Sequence, residues 1–148
     1  MRHVRLAVCF LIVPFVACGG NSAAPTPQIP NVVGNYSGNT TVVLPETAQQ
    51  IVCPTTTSVT QSGSTVNIAP IVLSGDCGGL SIPVGQQTID NTGNIQGATT
   101  ETVTDDCGVY NITGSGGFFG RELRISMIAT STTCPNINMT ISLSRGPI

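Results

Sequence analysis

The strongest constraint on the fold is an alternation that returns along most of the chain and is clearest near its end. Leu123, Ile125, Met127 and Ala129 fall on one face of an extended segment, with Glu122, Arg124, Ser126 and Thr130 on the other. After Cys134-Pro135 the pattern resumes, with Ile137, Met139, Ile141 and Leu143 set against Asn138, Thr140, Ser142 and Ser144. A period of two places alternate side chains on opposite faces of a strand, and no segment carries a helical stripe longer than two turns. Residues 33–44 alternate in the same way, with Tyr36, Gly38, Thr40, Val42 and Leu44 on one face. Residues 57–61 and 65–68 flank Ser62-Gly63-Ser64 as a hairpin, and 71–73 continue the second arm. A turn at 74–79 leads to a short strand at 80–84. Residues 88–89 and 94–95 flank a second hairpin at Asp90-Asn91-Thr92-Gly93, and Val109-Tyr110-Asn111-Ile112-Thr113 leads into Gly114-Ser115-Gly116-Gly117. The strands are rich in Thr, Val and Ile, as strand propensity favours. Short strands at this spacing imply an all-β domain over residues 32–148, an antiparallel up-and-down meander of about eight strands. A closed barrel removes exposed edges and is the expected form, with a β-sandwich as the alternative.

The first 31 residues read differently. A cationic start, Met1-Arg2-His3-Val4-Arg5, precedes an apolar run at 6–16 that falls short of the roughly 20 residues needed to cross a bilayer. A charged start, a short apolar core and a small residue before a cut define a secretory signal, here residues 1–17. Phe15-Val16-Ala17-Cys18 resembles the lipobox of bacterial lipoproteins, which implies a lipid on Cys18. An ordinary cleaved signal with a disulfide-bonded Cys18 is the alternative. Residues 18–31 are small, polar and proline-rich, and read as a tether reaching roughly 40 Å. Gly19 follows the cysteine where an Asp would imply retention at the inner membrane. The resemblance therefore implies an extracytoplasmic, lipid-anchored protein of the cell envelope, on the outer membrane of a host with two.

Removing the signal also removes the only histidine, His3, and the chain has neither Lys nor Trp. Three arginines (Arg121, Arg124, Arg145) then face seven carboxylates, and no basic patch remains to bind nucleic acid. Beyond Cys18 four cysteines are left, and in an oxidising compartment an even set implies two disulfides. Of three possible pairings, Cys53 with Cys77 and Cys107 with Cys134 would each tie neighbouring strands of a meander. No Cys-x-x-Cys spacing points to a metal, and no cofactor is expected.

Gly34-Asn35-Tyr36 opens the first strand and Arg145 closes the last. This combination resembles the lipocalin-like barrels, the calycins, which carry Gly-x-Trp on the first strand and an Arg near the end of the final one. The resemblance implies that Tyr36 and Arg145 form a barrel-closing pair, a cation over a ring face. Gly34-Asn35-Tyr36-Ser37-Gly38 and Gln61-Ser62-Gly63 are also similar to the small glycine- and threonine-rich barrel lipoproteins of environmental bacteria. Tyr36 stands where the calycins have Trp, and no C-terminal helix follows, so no ligand is implied.

Chemistry is sparsely represented. With no histidine after processing and no lysine anywhere, nucleophilic triads and Schiff bases lack their base or amine. A carboxylate pair remains available, from Glu101, Asp105, Asp106 and Glu122, and would make a hydrolase. Asp90-Asn91-Thr92-Gly93-Asn94 offers oxygens at alternate spacing but lacks the distal Glu of a calcium loop, and its residues are those a tight turn requires. The leading expectation is a non-enzymatic barrel holding a small or apolar ligand in a lumen. Tyr36, Val42, Tyr110, Ile112, Ile125, Met127, Met139 and Ile141 would line it. A solidly packed structural or interaction protein of the envelope is the second reading, and the carboxylate hydrolase the third. The expected partners are the membrane, through Cys18, and either an apolar ligand or an envelope protein.

Overall fold

A computed structural model describes residues 26–97, 99–104 and 107–147. The signal segment, Cys18 and the start of the tether lie outside the described residues, as do Asp105 and Asp106. The fold is all-β and antiparallel. Its first strands are β1 (Gly34–Leu44), β2 (Gln49–Ser62), β3 (Thr65–Ile68), β4 (Ile71–Leu73), β5 (Ser81–Ile82) and β6 (Gly85–Thr88), with a 3-10 turn at Gly75–Cys77. The second half contributes β7 (Thr99–Thr104), β8 (Val109–Phe119), β9 (Glu122–Thr130) and β10 (Ile137–Arg145). Among the described residues no helix is long and apolar enough to cross a membrane.

The strands form one sheet in the order β5-β4-β2-β1-β10-β9-β8-β7, with β3 pairing both β2 and β6. β1 lies between β2 and β10, so the first and last strands of the meander meet, with Tyr36 opposite both Thr57 and Arg145. The sheet curls into a nearly closed barrel whose two ends differ. At one end the circuit is complete. The last part of β2 pairs with β3, β3 with β6, and the chain then turns through the 90–94 hairpin, where Ile89 bridges Ile95 and Asn94 bridges Gly117 of β8. Ile95 N donates to Gly116 O at 2.9 Å and Phe118 N to Gly93 O at 2.8 Å. A glycine is required here: a Cβ on Gly117 would lie 2.8 Å from Gly93 O and 2.9 Å from Asn94 Cα.

At the other end the circuit is interrupted. β4 pairs with β2 at Thr55 and Thr56, β5 adds to β4, and β7 covers only the first half of β8. No strand pairing among the described residues joins β5 to β7, which leaves a seam.

Alternation drives this curl, because each strand must put its apolar face inside. β9 alternates buried and exposed residues along its length, and β10 does so from Asn138 to Ser144. The closed half is filled. Tyr36 packs edge-on against Phe118, with ring centroids 5.9 Å apart, among the buried Val32, Val59, Leu123 and Leu143. Burying a side chain of this size contributes roughly 1.5–3 kcal/mol. Two disulfides, Cys53–Cys77 and Cys107–Cys134, link Cα atoms 5.9 and 6.0 Å apart. Both lie toward the end where the seam opens.

Candidate functional site: the open end of the barrel

The side chains at the open end have neighbours on fewer sides than those at the closed end. Val42, Ile51, Cys77, Val103 and Ile137 pack against the core yet remain partly exposed, whereas the inward side chains of the closed half, such as Tyr36, Phe118, Leu123 and Leu143, are fully buried. The partly exposed residues together surround a cavity of about 160 Å³. One wall is Asp76, Cys77, Leu80 and Ile82, from the 3-10 turn, the residue before β5 and β5 itself, and the facing wall is Val103, Tyr110 and Ile112, from β7 and β8. Ala129 of β9 and Ile137 and Met139 of β10 lie between. Apart from Asp76 and Tyr110, the lining is aliphatic or sulfur-bearing. The Cys53–Cys77 bridge pins the 3-10 wall to β2, so the seam has one covalently fixed lip.

Of the eight lumen residues expected from the sequence, Val42, Tyr110, Ile112 and Met139 line this cavity. Tyr36, Ile125, Met127 and Ile141 also face inward, but they are buried outside its lining. Ile51, Leu80, Ile82 and Val103 went unrecognised. The first stands just before Cys53-Pro54, and the others stand in short or threonine-rich segments with little alternation to read.

The closed end is held by side chains that grip the incoming chain. The Tyr36 hydroxyl donates to Val32 O at 2.8 Å. Gln61 accepts from Val32 N and donates to Pro30 O, both at 2.9 Å, and Arg145 Nη1 donates to Asn31 O at 2.8 Å. Tyr36 and Arg145, the expected barrel-closing pair, are therefore direct cross-strand neighbours here, and Arg145 spends its hydrogen bonds on the backbone of residues 31 and 33. Arg121 in turn donates to Arg145 O and Gly146 O. Burial pushes the Tyr36 phenol above its usual range, against the opposing pull of the Arg145 and Arg121 charges. Asp90 organises the closing hairpin by accepting from Thr92 Oγ1 at 2.6 Å and from Asn94 N at 3.0 Å. The Thr92 hydroxyl is the main reason its carboxyl is held below the usual range.

Of the four carboxylates expected as an acid–base pair, the two among the described residues, Glu101 and Glu122, do not converge in one cleft. Glu122 pairs with Arg124 on the outer face near the closed end, while Glu101 is on the inner face of β7 beside the seam, in register with Ile112. Asp105 and Asp106 are outside the described residues. Among the described residues no three His, Cys, Asp or Glu side chains are grouped to hold a metal ion. No protein-family model matches this chain, and no curated protein or solved structure matches it either.

Proposed function

We propose that this chain is a non-enzymatic binding module that takes a small apolar ligand at the open end of its barrel and is held to an envelope membrane by a lipid on Cys18. The cavity between β5 and β7 carries the reading. It is apolar, it sits where the hydrogen-bonded circuit is interrupted, and at about 160 Å³ it matches the size of cavities that stay dry and admit benzene. It is smaller than sites for drug-sized molecules, so it suits a compact ligand or the end of a longer one. The lipobox-like Phe15-Val16-Ala17-Cys18 supports the anchor. The chain enters the barrel at the closed end, so a tether from Cys18 would leave the mouth facing away from its attachment.

Benzene titrated into the Cys18→Ser chain, which carries no lipid, tests the site by methyl NMR. Shifts should concentrate on Val42, Ile51, Ile112, Ile137 and Met139, and Ala129→Leu, which fills the cavity, should abolish them. Benzene that moves no cavity methyl would leave a solidly packed envelope protein as the better reading. The mass of the Cys18 peptide from the host membrane tests the anchor independently.

A further inference from the structure

Charge divides along the barrel axis. Among the described residues, the open end carries Glu46 in the turn between β1 and β2, Asp76 on the cavity wall and Glu101 on the inner face of β7. No described cation lies at that end. The half of β2 that reaches the mouth and the 131–136 connection are uncharged. All three described cations lie in the other half. Arg121 ties down the C-terminal backbone, Arg145 grips the backbone of residues 31 and 33, and Arg124 is paired with Glu122.

An apolar cavity with an exclusively acidic surround selects among ligands of equal hydrocarbon size. A carboxylate or phosphate head at the mouth would meet only like charge. A neutral head would gain nothing beyond transfer of its hydrocarbon. An ammonium head would be attracted by Asp76 at the wall and by the field of Glu46 and Glu101, while its hydrocarbon fills the space between Ile82, Ile112 and Met139. Resting on the binding site proposed above, we infer that its ligand is a small cationic amphiphile, an aliphatic amine with a compact hydrocarbon group. Asp76 is the residue that reads its charge.

Three probes of equal chain length decide it: hexylammonium, hexan-1-ol and hexanoate, titrated separately into the Cys18→Ser chain in about 10 mM salt. Methyl shifts of Ile112 and Met139 give each affinity. Hexylammonium should bind about five- to tenfold more tightly than hexanol and hexanoate more weakly than either. The spread should collapse in about 1 M salt, where the screening length falls to roughly 3 Å. Asp76→Asn should remove most of the ammonium preference and leave hexanol binding unchanged, and Asp76 is exposed in a turn, so the variant should fold. Equal binding of all three probes would overturn the amine inference and leave the cavity site standing. Failure of all three to bind would overturn the site itself.

Discussion

At the scale of single residues the closed end depends on groups that are polar yet largely shielded. Tyr36 is the clearest, only 1% exposed and donating its hydroxyl proton to Val32 O. Its phenol ionises above the usual 10.0 because burial disfavours the phenolate, although Arg145 and Arg121 oppose the rise. The folded state therefore keeps a proton that the unfolded chain releases near pH 10. Its contribution is complete below pH 10 and is lost as pH rises through the folded-state value. Tyr36→Phe should cost about 1 kcal/mol at pH 7, the net worth of one hydrogen bond, by urea unfolding. Above pH 10 the wild type should lose stability and the gap to the variant should narrow. A gap that stays constant to pH 11 would show that another group titrates. The inward position of Tyr36 was legible in the sequence, because 33–44 alternate without a break. The strap that Tyr36, Gln61 and Arg145 make on residues 30–33 was not, since it joins positions up to 114 apart in sequence.

At the scale of elements, the two ends are held by different means. The closed end uses a backbone circuit and the Asp90 turn, while the open end uses both disulfides. Cys107–Cys134 fastens the start of β8 to the connection between β9 and β10. Replacing both cysteines with serine should lower stability by roughly 3–4 kcal/mol in the chain-entropy model, read as a lower urea midpoint. A loss below about 1 kcal/mol would mean that the connection is held by other contacts. Which elements could be read from sequence follows from their chemistry. β9 and β10 alternate cleanly and were expected where they occur. The first half of β2 was missed because Pro54 reads as a break. In the fold, Pro54 O accepts from Ser74 N at 2.8 Å, so the edge of Pro54 that lacks an N–H faces Ser74 and not β1. β7 was missed because Val103 is the only aliphatic residue among its threonines. That sparse apolar content suits a strand paired on one side only.

At the scale of the whole molecule, the barrel is a gradient running from a filled, cation-bearing end to an open, acidic one. The sequence could show which side chains face inward but not where the inward space is left empty. That depends on β5 and β7 failing to meet, which no local pattern encodes. The gradient should also be one of stability. β10 is paired on both sides along most of its length, so its Ile141 and Leu143 amides should exchange only through global unfolding. β7 has one neighbour, and its amides should exchange through local opening of the seam at least about a hundredfold faster. A cavity ligand then separates the two ends. Opening the seam destroys the site, so benzene at about ten times its Kd should slow exchange in β7 by about tenfold. Opening the 90–94 hairpin leaves the cavity walls in place, so the Ile95 and Phe118 amides should keep their rates as long as they exchange locally. Hydrogen exchange with and without benzene reads both ends in one experiment. Equal slowing at β7 and at the hairpin would mean that the barrel opens only as a unit, and a β7 no faster than β10 would mean that the seam is not its weak line.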